Sequence, residues 1–182
     1  MGTIDTTAWV APTAVVTGDV TLGPGARVLH GAVVNGDRGP VIIGADVLVM
    51  ENAVLRGRPK HPLRIGDAVL IGPHAHLNGA RIEDEVFLAT GVSVFAGAVV
   101  GERSELRINS VLHVNSVLAA DTVLPIGWVA AGDPAQLFPP DRHEEIWAVQ
   151  QELDFPMTMY GVPRGTSMRE IMRRQSAAYA PD

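Results

Sequence analysis

The chain of 182 residues contains no cysteine, which rules out a disulfide framework and thiolate zinc sites. Positive charge is scarce: 14 Lys and Arg stand against 20 Asp and Glu, a formal net charge of −6. No long basic face is offered to phosphates, so a general nucleic-acid binder is excluded, while a small anion can still meet a local cluster of cations. No run of about eighteen apolar residues is present, so no membrane-spanning helix is expected. The first residues, MGTIDTTAWVAPT, lack the basic region and apolar run of a secretion signal. The expectation is a cytoplasmic protein of one domain, large enough to bury a continuous core.

What the chain does have is a beat of six. From Ile82 an aliphatic residue returns at Leu88, Val94, Val100, Leu106, Leu112, Leu118 and Leu124, and Ala130 closes the run. Four residues after each comes a small or β-branched residue: Val86, Val92, Ala98, Ser104, Ser110, Ser116 and Thr122. The same beat runs earlier through Leu22, Val28 and Val34, then Ile43, Val49 and Leu55, then Ile65, Ile71 and Leu77. Six fits neither an amphipathic helix nor an alternating strand. It is the period of a parallel β-helix, in which each flat face of a coil uses one hexapeptide. Residues one coil apart then stack at about 4.7–4.9 Å, and chemistry is to be sought in columns.

The repeat is expected to fill residues 15–135 after a lead-in over 1–14, with interruptions at Gly36–Val41 and at Arg56–Arg64 (RGRPKHPLR). Such insertions map to corner loops, where function concentrates. The glycines of the body, Gly72 and Gly79 among them, read as corner residues at positive φ. Pro139 and Pro140 end the stack, because proline cannot continue a ladder inside a sheet. Residues 1–140 thus form the β-helix domain and 141–182 a helical tail packed on it or on a neighbouring subunit. Asp141 with Glu144 resembles a capping box opening a helix through Ile146, Val149, Gln150 and Leu153. A second short helix starts at Ser167 with Glu170 three residues on, and DFPMTMYGVPRG between them reads as an ordered connector.

VTGDVTLGPGARVLHGAVVNGDRGPVIIGADVLVMENAVLRG, then IGDAVLIGPHAHLNGARI, then AAGDPAQL, resemble the γ-class carbonic anhydrases over roughly residues 15–140. The resemblance implies a left-handed β-helix with a C-terminal helix, a homotrimer, and zinc sites between subunits. At the three positions of the family's zinc-binding histidines this chain carries Arg56, Pro73 and Asn78. A permanent cation and a side chain without a donor atom cannot bind a divalent ion. The family's Arg-Gly-Asp becomes Asn35-Gly36-Asp37, and its Gln-Asp pair becomes Met50-Glu51. The usual zinc chemistry, which needs a metal-bound water of lowered pKa, is therefore not expected.

By column, Asn35, Arg56, Asn78, Phe95 and His113 succeed one another on one face, with Glu51 one coil from Pro73 and His74 beside it. The Arg56–Arg64 excursion is expected to bring Arg58, Lys60, His61 and Arg64 to the same region. Arginine forks suit a carboxylate or phosphate, and a histidine near a carboxylate suits proton transfer near neutral pH. Arg56, Arg58, Asn35, Asn78 and Met50 are the expected substrate-binding residues; His74, His76, Glu51 and Asp37 are the expected acid–base residues. Other readings stay open. The arginines can pair across a subunit boundary, and Glu51 can be a counter-ion to Arg56 instead of a base. His74 and His76 form an HxH pair that on an extended strand points both rings one way, which with His61 or Glu51 would rebuild a metal site. His113 reads as structural or exposed.

The expectation is an all-β repeat protein, a trimer with a degenerate zinc site. It would use acid–base chemistry of a lyase, hydrolase or isomerase type on a small anionic or acyl substrate at the subunit interface. It needs no cofactor, zinc being disfavoured, and no nucleic-acid or membrane partner. The alternatives are a CoA-dependent hexapeptide acyltransferase, a non-catalytic assembly protein, and a carbonic anhydrase with a rebuilt metal site.

Overall fold

The computed structural model describes residues 2–179, and among these the chain winds into a parallel β-helix with three flat faces followed by three helices. The aliphatic beat is the inward column of each face. On the first face Val16, Val34, Leu55, Leu77, Val94, Leu112 and Ala130 stack in register. On the second face the column is Leu22, Ile43, Ile65, Ile82, Val100 and Leu118. On the third it is Val10, Val28, Val49, Ile71, Leu88, Leu106 and Leu124. Nearly all of these are fully buried. A two- or three-residue strand turns one side chain inward and leaves its neighbours outside, so the six-residue repeat builds the core by alternation.

The corners are tight turns held by left-handed residues. Glycine supplies several, but Asn52, His74, Glu85, Asn109 and Asn115 also adopt positive φ. Gly79 behaves as expected, at φ +59°, where the beat loses one residue between Leu77 and Ile82. Gly72 does not take positive φ; a Cβ there would stand 2.6 Å from the Ala89 carbonyl carbon, so close approach of coils is what it serves.

Two boundaries differ from the sequence reading. The solenoid begins earlier than residue 15, because strand Trp9–Val10 already pairs with Arg27–Val28 and Ile4 bridges to Leu22. Gly36–Val41 is no loop: the strand Val33–Ile43 runs through it around the corner, pairing with Val15–Leu22. Glycines make this passage possible, since a Cβ at Gly36 would lie 2.7 Å from the Asp19 carbonyl carbon.

Strand Ala135–Phe138 folds back antiparallel on Val129–Gly132 and ends the stack, with Trp128 packed half-buried against the core. Helix α1 (His143–Gln150) buries Ile146 against Ala131 and Phe138. Asp141 does not cap it; the cap position falls on Arg142 and no side chain bonds there. The expected connector contains a helix, α2 (Phe155–Tyr160), whose Met159 packs on Ala96 and Val114. The corner residue Asn115 ties this tail down, donating to the Leu153 carbonyl at 3.1 Å and to Thr158 Oγ1 at 2.8 Å. Helix α3 (Met168–Ala178) opens as expected at Ser167, whose hydroxyl accepts from the Glu170 N–H at 3.3 Å. Among the described residues no helix is long and apolar enough to cross a membrane.

Candidate functional site

On the first face the residue after each inward aliphatic points outward at the strand's end, which aligns Thr17, Asn35, Arg56 and Asn78 in adjacent coils. Asn35 Nδ2 donates to Asp37 Oδ2 at 2.6 Å, and Thr17 Oγ1 donates to the same oxygen at 3.1 Å. Asp37 is thereby held by neutral donors instead of arginine. The column continues to Phe95 and His113, but there α2 covers it: the His113 ring lies 6.0 Å from Phe95 and 5.7 Å from Phe155. Burial pushes the His113 imidazole down to about 4, and its Nδ1 has no partner. His113 is a packed histidine, the first of the two readings, structural or exposed, that the sequence left open.

The Arg56–Arg64 excursion closes on itself, because Arg58 and His61 exchange backbone hydrogen bonds of 3.0 and 3.2 Å around Pro59-Lys60. Gly57 is required beneath it, since any Cβ there would overlap the Gly39 carbonyl. This turn aims Arg58 back at the column. Its Nε donates to Asn78 Oδ1 at 2.7 Å and its Nη1 to the Met159 carbonyl at 2.7 Å. Arg56 and Arg38 stand beside it, and none of the three guanidiniums has a carboxylate partner among the described residues. With Asn35, Asn78 and Tyr179 they line a cavity of ≈ 270 Å³. Burial, with Arg38 and Arg56 nearby, pulls the Arg58 pKa below its ordinary value against the opposing pull of Tyr179 and Tyr160. Arginine remains charged through any such shift. The pocket is cationic.

His76 begins the strand His76–Asn78 and faces outward on the same side as Asn78. Desolvation and then the charges of Arg56 and Arg58 lower its pKa, so its neutral, proton-accepting form dominates at pH 7. His61 is lowered likewise by burial, Arg58 and Lys60, but it lies on the other side of Arg58 in a cavity under α2. Arg64 pairs in strand register with Arg81 on the second face, so the excursion does not bring it to the pocket.

The remaining sequence candidates sit elsewhere. Met50, Glu51 and His74 occupy the corner that precedes the first face, at the opposite end of the short strand Val54–Arg56. At about 3.3 Å per residue this places Glu51 on the order of 10–15 Å from Arg56 within one chain. The two form no ion pair. His74 is an exposed turn residue at φ 59°, its N–H bonded to the Glu51 carbonyl at 3.1 Å. The extended geometry assumed for the HxH pair is therefore absent, and the two rings do not share a strand. Met50 and Pro73 border an apolar groove of ≈ 460 Å³ that runs to Phe87, Ile108 and Ile126. The last two are 46% and 66% exposed, which makes the groove an apolar surface in a single chain.

Arg38, Tyr179 and Thr17 were missed from the sequence. Thr17 had a signal, its place one coil before Asn35. Tyr179 had none, because the path of a helix across the solenoid is set by tertiary packing.

The pocket does not fit zinc. Its nearest side chains are permanent cations, and the Asn78 oxygen already accepts from Arg58. Among the described residues of one chain no group of three His, Asp or Glu is placed to hold a metal ion.

No protein-family model matches the chain. It is similar to gamma carbonic anhydrase 1 of Arabidopsis thaliana mitochondria, at 34% identity over 155 residues, covering 81% of this chain and 54% of that protein. A carbonic anhydrase of Geobacillus kaustophilus is 30% identical over 99 residues, 54% of each chain. The carnitine operon protein CaiE of Escherichia coli is 32% identical over 98 residues, 54% of this chain and 50% of that one. The chain thus spans about half the length of these curated relatives. Among solved structures, a Bacillus cereus protein assigned as an acetyltransferase superposes with a TM-score of 0.56 at 24% identity, over 84% of this chain and 87% of that one. At that identity the superposition establishes the hexapeptide β-helix fold and nothing about chemistry.

Proposed function

We propose that this chain, a homologue of the gamma carbonic anhydrases, is an enzyme that binds a small anionic or acyl substrate in the arginine pocket and moves a proton there without zinc. The observation that carries this reading is the set of three guanidiniums, Arg38, Arg56 and Arg58, converging on one cavity with no carboxylate partner among the described residues. Guanidinium forks that meet only neutral partners in a partly buried site favour a carboxylate or phosphate ligand. Asn35 and Asn78 supply neutral hydrogen bonds, and His76 is the base. Its depressed pKa keeps it neutral, and protonation becomes easier once a bound anion offsets the arginine charges.

A trimer completes the site in this proposal. The apolar groove beside Met50 and Pro73 supports an interface at that corner. A neighbouring copy would then bring Glu51 and His74 toward the pocket, which one chain alone does not do. Asp37, held by Asn35 and Thr17, serves to orient groups at the pocket's edge.

Calorimetric titration of the purified protein with inorganic phosphate, succinate and acetyl-CoA tests the reading, alongside metal analysis. Phosphate or succinate should bind, Arg56→Gln should weaken that binding at least tenfold, an effect of about 1.4 kcal/mol, and zinc should be well below one per chain. Binding of acetyl-CoA alone would replace this reading with an acyltransferase, and stoichiometric zinc with CO2 hydration would replace it with a carbonic anhydrase. A protein that binds none of these yet remains a trimer would be an assembly protein.

A further inference from the structure

The arginine pocket is bordered by Tyr179, the residue that follows helix α3. Helix α3 is lightly fixed: Ile171 is its buried side chain, while Met168 and Met172 are 64% and 45% exposed. Its charged residues pair among themselves, Glu170 with Arg173 and Arg174. At its C-terminal end Tyr179 reaches the pocket, with the Arg38 guanidinium carbon 4.8 Å from the centre of its ring. Arg38 and Arg58 also line the neighbouring cavity of ≈ 180 Å³ beneath α2, so they form the partition between the two spaces. The helix end is therefore attached to a residue that belongs to the anion site.

Resting on the anion-pocket reading, we propose that Tyr179 is a ligand-contacting residue and that α3 closes over a compact dianion held by Arg38, Arg56 and Arg58. Three guanidiniums around one cavity repel one another, and a dianion among them removes that repulsion and draws them inward. Arg38 carries the Tyr179 ring on its face, so the helix end follows. The phenol O–H is then placed to donate to an anion oxygen, a charge-assisted hydrogen bond. Desolvation by itself would raise the pKa of this phenol. The Arg38 hydrogen bond and the charges of Arg38, Arg56 and Arg58 outweigh that and hold it below the ordinary tyrosine value, which fits a strong donor. At ≈ 270 Å³ the pocket falls below the range of about 300–1,000 Å³ that houses drug-sized ligands. A phosphate group or a short dicarboxylate matches both its size and its charge.

The test uses the full chain with inorganic phosphate as one probe and succinate as the other. Hydrogen exchange should slow across residues 168–179 when either dianion is bound. Tyr179→Ala should weaken binding by about fivefold to tenfold, and Tyr179→Phe by less, since the ring on Arg38 is retained. Preference for one probe identifies the dianion as phosphate or dicarboxylate. If the dianion binds and Arg56→Gln abolishes binding, yet Tyr179→Ala binds like the wild type and exchange in α3 is unchanged, the lid is wrong and the pocket stands. If neither dianion binds the wild type, the pocket reading fails and the lid falls with it.

Discussion

Arg58 Nε donates to Asn78 Oδ1 at 2.7 Å, joining the tip of the excursion loop to the outward column of the first face. A second bond from the same guanidinium, to the Met159 carbonyl, brings in the tail. One side chain therefore fixes three elements that are far apart in sequence, and it lies at the wall of the cationic pocket.

Removing the acceptor should cost both stability and binding. In Asn78→Leu the half-buried Arg58 loses a partner, and a loss of about 1–3 kcal/mol is expected from urea unfolding. Arg58→Lys should not restore the arrangement, because a single ammonium cannot serve Asn78 and the Met159 carbonyl with a planar fork.

Stability should fall in mild acid. Burial depresses the His113 pKa to about 4 in the folded chain, against about 6.5 when unfolded. Between those values the unfolded state binds more protons, so stability is complete above about pH 6.5 and declines as pH drops toward 4. His76 and His61, shifted in the same direction, add to the slope. Thermal unfolding should show a Tm several degrees lower at pH 4.5 than at pH 7, and His113→Leu should flatten that dependence.

The scaffold should accept zinc once donors are returned to it. Arg56→His, Pro73→His and Asn78→His together place imidazoles at the three positions that the family resemblance assigns to zinc-binding histidines. Elemental analysis should find about one zinc per chain in this triple variant and far less in the parent. A triple variant that folds and stays empty would show that the coils no longer have the metal-binding geometry.

The apolar groove should be where copies meet. Ile126→Glu puts a carboxylate on a 66% exposed side chain of that surface. Sedimentation should show the assembly dissociating toward monomers, while circular dichroism of the β-helix is retained. An unchanged sedimentation coefficient would move the interface elsewhere.

The architecture was legible because it is periodic. Leu77, Leu88, Val94 and Leu112 each occupy the inward position that counting by six assigns, since alternation on a short strand leaves no other place for them. The same counting aligns Asn35, Arg56 and Asn78, because stacked coils convert sequence offset into adjacency. It failed where the chain departs from the repeat. Residues 36–41 interrupt the beat yet continue as strand, because glycines let two coils pass closely. His74 stands three residues after the inward Ile71, the corner place that Asn52, Glu85 and Asn109 also take at positive φ, so the extended geometry needed for an HxH pair was never open to it.

The sequence by itself determined the β-helix, its inward columns, and the stacking of Asn35, Arg56 and Asn78. These follow from a local period and from residue identity. Only the tertiary structure separated the candidates into an arginine pocket and a distant corner. It also seated Tyr179 on Arg38 across 141 positions of chain. No periodicity relates a solenoid to the helices that cross it: their positions depend on which apolar side chains, such as Met159 and Ile146, find a complementary surface.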